Sequence, residues 1–498
     1  MKQRWIDAAI ALGLAVVAFV IYRKVLRLWW MLDDPFHLNV LTPVGWRELF
    51  TGKFSRQFGK PLFTPLHFLS MKLDLMGFGA NPRLWYLHQL IAFTLLAPLQ
   101  YAMLRRWCPP AASCAAALVT MLGVPTMNIV PVLMLRHYVE GAVFAMAAVA
   151  LYGRGRALNV LSALLYLVAS LYKEIFVPLP LILFAMRKRA VVPHAIAAVI
   201  YAILRISLLG ISTESYDFVV RPADRWKMLA TLPFRAFGEF GVALAIAVFV
   251  CIVIVFVRLP KSRLVIAAAA VAALLPIVPV AAQLQPRWAF ALWLVSASAI
   301  AFVEFRLVIA AVLITALVSF RVEWSRAYRH FVRMSDEARV FTRLGPDDIL
   351  LDAEAPPVTM QSLAHYTHAR GRAIYDELNL CRDPQPHHYL AYDATKRAVA
   401  ATALDCSHIR TAPLSAHFVF GDDGAFYWTL GPYRDGRYVF VLGDDIAYEV
   451  GPEAGFRFPN IDALTIRVRY ESPAGWMTYS PDLRLDMKTR RAVNFDRR

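Results

Sequence analysis

Two adjacent carboxylates, Asp33 and Asp34, follow directly on the first long apolar run, in Trp29-Trp30-Met31-Leu32-Asp33-Asp34-Pro35-Phe36-His37. A carboxylate near low dielectric is costly to keep charged, so it finds a cation or its pKa rises. Either outcome suits a general base that takes a proton near neutral pH. The bland alternative is a helix-ending turn with both side chains in water. Asp34 precedes Pro35, which biases it toward extended backbone. Asp33 lies one residue nearer the helix and is the better-directed base of the two.

A second group is Arg136-His137-Tyr138-Val139-Glu140. Arg136 and Glu140 stand four apart, so they either pair along one helix or contact a ligand. A third is Tyr172-Lys173-Glu174, interrupting apolar sequence. Lys173 is a point charge suited to phosphate, or else it snorkels to an interface. Arg205, Arg235 and Arg287 are further cations within or beside apolar segments, where ionisable residues mark function by default. Such a set would serve transfer from a lipid-linked phosphosugar. Cations hold the phosphate as it leaves, and a carboxylate takes the acceptor's hydroxyl proton. The transition state resembles an oxocarbenium ion. The acidic pair could also hold a divalent metal, but no second ligand cluster accompanies it, so neither metal nor cofactor is expected.

These residues need a membrane scaffold. The chain has 498 residues, of which 58% are hydrophobic, and long stretches such as Ala8–Tyr22 and Gly241–Val257 carry no charge. Spanning hydrocarbon takes about 20 apolar residues, which predicts a polytopic α-helical protein of about eleven transmembrane helices. They are expected at 6–28, 84–104, 111–128, 130–151, 157–172, 175–187, 190–210, 239–257, 264–282, 287–304 and 306–320. The first run lacks a small-residue cleavage site and reads as a helix rather than a signal peptide. Segment 61–80 contains Pro65, His67, Lys72 and Asp74 and reads as an interfacial helix.

The net charge of +17 would suggest nucleic acid in a soluble protein. Here much of the excess lies in compact turns, so no nucleic-acid partner is expected. The turns at Arg105-Arg106, Arg154 to Arg156, Arg187 to Arg189 and Arg258 to Arg263 fall on one side, which positive-inside topology makes the cytoplasm. Arg23, Lys24 and Arg27 oppose them. The expected placement is a bacterial inner membrane, with the N-terminus cytoplasmic and the C-terminal domain periplasmic.

Two domains are expected: a membrane domain, 1–320, and a periplasmic soluble domain, 321–498, that is α/β or β-rich. Asp348–Asp352 reads as a strand and Val358–Arg370 as a helix, and from about 415 the pattern alternates as in strands. Asp423-Gly424 and Asp435-Gly436 are hairpin-turn signals. Of the five cysteines, Cys381 and Cys406 lie in this domain, and a disulfide between them is compatible with an oxidising compartment.

Over roughly residues 20–300, the chain resembles the GT-C fold glycosyltransferases, nearest to the dolichyl-phosphate-mannose protein mannosyltransferases. Their pattern is an acidic pair after the first span, an Arg-Pro-Leu step, then Gly-x-Asn-Pro and a following His. This chain has Asp33-Asp34, Lys60-Pro61-Leu62, Gly79-Ala80-Asn81-Pro82 and His88. Lys173-Glu174 with Pro178 and Pro180 resembles their Ser-Lys-Glu step, and Gln285-Pro286-Arg287-Trp288 their Glu-Arg-Tyr step. Lys60 and Gln285 depart from that pattern, and tetratricopeptide repeats are missing from the tail. The resemblance implies inverting sugar transfer from a polyprenyl-phosphate donor to a periplasmic acceptor. Asp33 and Asp34 would be catalytic. Lys173, Arg287 and Arg136 would bind the donor phosphate, and His37, Lys60, His88, His137, Glu140 and Glu174 would contact substrate.

Rival classes are a transporter or flippase, a lipid-sugar polymerase or ligase, and a degenerate scaffold that presents its tail. The first lacks a paired inverted repeat. Neutralising Asp33 and Asp34 separates an enzyme from the last.

Overall fold

The structure is a computed structural model that describes residues 2–56, 63–210, 218–219, 225–277, 285–384, 386–421, 425–443, 446–456, 462–491 and 493–497. It divides into two compact units. The first comprises residues 1–28, 40–215 and 228–331, and the second 29–39, 216–227 and 332–498. The partition falls inside one continuous helix, Arg306–Phe341, so a boundary at 320 would cut that helix.

The chain is a multi-pass helical membrane protein by the length and composition of its helices. Six are long and apolar enough to cross: Gln3–Arg27, Pro82–Leu104, Leu133–Leu151, Val192–Leu209, Gly241–Arg258 and Arg306–Phe341. Five shorter apolar helices, Pro110–Leu122, Arg156–Tyr172, Glu174–Met186, Arg263–Leu274 and Pro286–Phe302, occupy the remaining expected spans. Their outer faces carry exposed Leu12, Val16, Ile203, Phe249 and Leu317, surface that hydrocarbon accommodates and water does not.

Inside the first unit, Leu122, Val248, Cys251, Trp293 and Ala297 form a continuous core. Gly123 lets this core close: a Cβ there would stand 2.0 Å from Trp293 Nε1, which donates to the Thr120 carbonyl at 3.2 Å. The helical run breaks between Ile129 and Leu133. There Gln89 Nε2 meets the carbonyls of Ile129, Val130 and Val132 at 3.0, 2.9 and 3.0 Å. Carbonyls freed by a break in an apolar interior need such a donor. The next helix, Arg136–Leu151, starts from this anchored break.

The second unit is the expected β-rich domain. A small sheet orders Arg372–Ile374, Asp348–Leu351, His388–Asp393 and Ala398–Ala401, the first three parallel and the last antiparallel. Pro357–Thr367 is its helix. Cys381 and Cys406 are disulfide-bonded, with Cα atoms 5.7 Å apart.

Two antiparallel sheets follow. One orders Phe218–Val219, Glu453–Phe456, Phe426–Gly431, Leu414–Phe420 and Asn494–Arg497. The other orders Met477–Tyr479, Ala463–Glu471, Arg437–Leu442 and Ile446–Val450. Phe418 and Trp428 of one sheet and Phe440 and Val468 of the other share one core, as in a sandwich.

Asp435-Gly436 is not a hairpin turn. Phe426–Gly431 pairs with Leu414–Phe420, whereas Arg437–Leu442 pairs with Ala463–Glu471, so the chain changes sheets here. Gly436 is required by the close approach, since a Cβ would lie 2.2 Å from the Glu471 carbonyl oxygen. Asp423-Gly424 lies outside the described residues.

Candidate functional site

Three helices of the membrane unit meet around one buried guanidinium. Ser70 and Asp74 are four apart on Pro65–Phe78, His88 lies on Pro82–Leu104, and Arg136 and Glu140 are four apart on Arg136–Leu151. That spacing aims each pair at one neighbour. Arg136 is fully buried. It donates through Nη1 to Asp74 Oδ2 at 2.5 Å and through Nη2 to the Trp85 carbonyl at 3.0 Å. His88 Nδ1 lies 2.7 Å from Asp74 Oδ1, and its Nε2 is 3.5 Å from Glu140 Oε1. Ser70 donates to Glu140 Oε1 at 2.8 Å. Arg136 and Glu140 therefore bond across helices rather than along one. The charge of Arg136 is balanced by Asp74, while Arg136 Nε and Glu140 Oε2 have no hydrogen-bond partner among the described residues.

This cluster leads to a group of aromatic rings and cations. Tyr172 senses the charges of both Glu140 and Arg136. The next residue, Lys173, is extended (φ −157°, ψ 134°) and ends the Arg156–Tyr172 helix. Its Nζ stands 5.3 Å from the Tyr138 ring centroid, within cation–π range. The His137 ring meets His67 edge-on and Tyr138 at a tilt, with centroids 4.5 and 4.6 Å away. Arg287 is half-buried in the turn Pro286–Ala289 and is close enough to Lys173 for the two charges to repel. Glu174 offsets that repulsion beside Lys173 and also faces Arg205 Nε at 3.6 Å. Lys173 and Arg287, far apart in the chain, thus lie within electrostatic reach of each other.

The acidic pair lies in the C-terminal unit, on residues 29–39. Leu32 has φ 53°, a left-handed conformation that costs an L side chain about 1–3 kcal/mol. Asp34 is fully buried and opens the Asp34–Leu41 helix, its Oδ2 accepting the Met31 N–H at 3.3 Å. Asp33 is half-buried. Its carbonyl accepts the His37 N–H at 3.0 Å and His37 Nδ1–H at 2.7 Å. Burial pushes the His37 imidazole below its usual pKa range, against the opposing pull of the Asp33 carbonyl and carboxylate.

The expected residues thus fall into two local groups. Lys173, Arg287, Arg136, Glu140, His88, His137 and Glu174 belong to the membrane unit, while Asp33, Asp34 and His37 belong to the C-terminal unit. Lys60 lies outside the described residues, and nothing is described of the Arg235 side chain. Sequence reasoning missed Ser70 and Trp85, and it read Asp74 only as a mark of an interfacial segment. The available signal for Asp74 was its charge within an apolar stretch, which asks for a partner.

A cavity of about 900 Å³ opens in the membrane unit, lined by Met103, Ile175, Phe176, Phe237, Phe249 and Trp293 among other apolar residues. Of its lining, Ile175 and Phe176 directly follow Lys173-Glu174 in the chain. No family model matches the sequence, and no curated protein does. Among solved structures the chain is similar to ArnT from Cupriavidus metallidurans, crystallised bound to undecaprenyl phosphate, at 13% identity and a TM-score of 0.41, over 79% of this chain and 94% of that one.

Proposed function

We propose that this protein is a glycosyltransferase that moves a sugar, with inversion, from a polyprenyl-phosphate donor to an acceptor on the periplasmic face of a bacterial inner membrane. The feature that carries the reading is the combination of two electrostatically coupled cations, Lys173 and Arg287, with an apolar cavity whose lining includes Ile175, two residues after Lys173: charge for a phosphate and room for a hydrocarbon chain. The fold holds Lys173 by the Tyr138 ring and Glu174 rather than leaving it to snorkel. Arg136, already neutralised by Asp74, contributes by fixing the helices that carry Tyr138 and His88. The general base is assigned to Asp33, because Asp34 is buried in a helix-capping contact. The Cys381–Cys406 disulfide favours an oxidising compartment for the C-terminal domain and agrees with the basic-turn topology. The reading invokes no metal or organic cofactor.

The test is transfer from a purified polyprenyl-phosphate sugar by the full chain in vesicles. Asp33→Asn, compared at equal membrane abundance, is expected to slow transfer about 10²–10⁴-fold, as loss of a general base does. Lys173→Met is expected to raise the donor KM. Parent rates in Asp33→Asn and Asp34→Asn alike would show the pair to be structural. Passage of the lipid-linked sugar across the bilayer without transfer would favour a flippase instead.

A further inference from the structure

Asp33 has both of its flanking peptide planes held. On its C-terminal side, the Asp33 carbonyl takes the two His37 bonds at 3.0 and 2.7 Å. On its N-terminal side, the peptide joining Leu32 to Asp33 is held by Thr359 Oγ1, which donates to the Leu32 carbonyl at 2.6 Å. Thr359 is fully buried in the first turn of the Pro357–Thr367 helix. Two further bonds bracket the segment. The Trp29 N–H donates to buried Ser335 Oγ at 2.7 Å, and Asn39 Nδ2 donates to the Ser362 carbonyl at 2.8 Å.

The geometry points to Thr359 as the positioning residue for the base, an inference that rests on the assignment of Asp33 above. Leu32 sits in a left-handed conformation that the chain does not hold unaided. The Leu32 carbonyl and the Asp33 N–H belong to one rigid plane. A donor fixed on that carbonyl therefore sets the direction in which the Asp33 side chain leaves the backbone. Ser335 and Ser362 hold the ends of the segment, whereas Thr359 acts at the residue next to the carboxylate. The C-terminal domain is on this account part of the catalytic apparatus. Its Pro357–Thr367 helix supplies no reacting group, but it orients the one that takes the proton.

The experiment measures kcat and donor KM for the full-length protein carrying Thr359→Val, which keeps shape and removes the donor, and Thr359→Ser, which keeps the donor. Thr359→Val is expected to lower kcat by up to about 10²-fold, the cost of a misplaced catalytic group, with donor KM unchanged. Thr359→Ser is expected to restore kcat to within a few-fold of the parent. Parent kcat in Thr359→Val, while Asp33→Asn is inactive, overturns the inference and leaves the base assignment standing. Equal losses in the Val and Ser variants, or a KM that rises as kcat falls, also overturn it, because a merely structural threonine would behave so. Full transfer by Asp33→Asn overturns the base assignment and the inference together. Should Thr359→Val fail to accumulate in membranes, Thr359→Ala removes the same donor, and a parent kcat there overturns the inference equally.

Discussion

Arg136 in the membrane unit and Asp376 in the C-terminal unit are both completely buried charged side chains, and they are surrounded differently. Asp376 receives Arg467 at 2.8 Å and Arg469 at 3.8 Å. Each of those arginines has a second carboxylate, Asp482 at 2.9 Å and Glu471 at 2.6 Å, and Asp482 is 58% exposed. The C-terminal cluster is thus redundant and opens to the surface. Arg136 has Asp74 as its one ion-pair partner among the described residues, and the most exposed member of that cluster is His88, at 37%. Where solvent can stand in for a lost partner, a buried charge tolerates a loose arrangement. Where it cannot, the pairing must be one-to-one.

Removing one partner in the membrane unit should have the largest effect. Arg136→Met leaves Asp74 buried with His88 alone, and breaking such a pair costs about 3–5 kcal/mol. Thermal unfolding in detergent should show the loss, and the double change Arg136→Met with Asp74→Leu should recover most of it. An unaltered melting temperature in the single variant would break the comparison.

Next in size is the covalent constraint that only the soluble unit has among the described residues. Serine at both Cys381 and Cys406 opens a link of sequence separation 25, which the chain-entropy account values at about 3 kcal/mol. Denaturant titration should shift for the C-terminal domain and leave the helical signal in place. A shift in both would mean that the two units do not unfold separately.

Asp376→Asn should cost less than Arg136→Met, about 1.5–3 kcal/mol for lost charge-assisted bonds, because each arginine keeps its other carboxylate. A loss equal to that of Arg136→Met would remove the claimed redundancy.

The smallest effect sharpens the solvent side of the comparison. Glu377 adjoins this cluster, and burial, reinforced by Asp352, Asp376 and Asp405 against Arg469, pushes its carboxyl up to about 7. A raised pKa means that the folded state binds the proton more tightly. The contribution is therefore present below about 4.5 and lost as pH rises through about 7. Stability should fall by roughly 1–2 kcal/mol between pH 5 and pH 8, with screening limiting the effect. Glu377→Gln should flatten that slope in urea midpoints read at several pH values, and a slope that persists would assign it to other groups.

The elements that the sequence revealed are those defined by local composition. Uncharged runs such as Gly241–Val257 must be helical in hydrocarbon, and the aromatic and β-branched runs through Tyr438–Leu442 and Ala463–Tyr470 mark strands, whose centres prove to be buried on both faces. What stayed hidden depends on distant partners. Asp74 reads as a reason to keep its segment out of the bilayer, yet its partner Arg136 stands 62 residues away. Arg136 and Glu140 have helix-pair spacing, but the helix that carries Asp74 and Ser70 captures both. Asp435-Gly436 has the local chemistry of a hairpin, and strand pairing elsewhere decides otherwise. The grouping of residues 29–39 with the C-terminal domain rests on bonds to Ser335, Thr359 and Ser362, and periodicity carries no trace of these.

The bond from Thr359 to Leu32 also sets an order for biosynthesis. Its two residues are 327 positions apart, so the ribosome makes the acidic turn early and its holding donor late. Loop closure over such a span adds an entropic cost that grows only slowly with length, so the delay is one of synthesis rather than of thermodynamics. Most of the apolar helices are translated before the Pro357–Thr367 helix exists, and until then the left-handed backbone at Leu32 has no donor from Thr359 to hold it. A nascent chain thus passes through its membrane-inserting stages with the acidic turn unset, and the bond that holds it can form only when nearly three-quarters of the protein has been made.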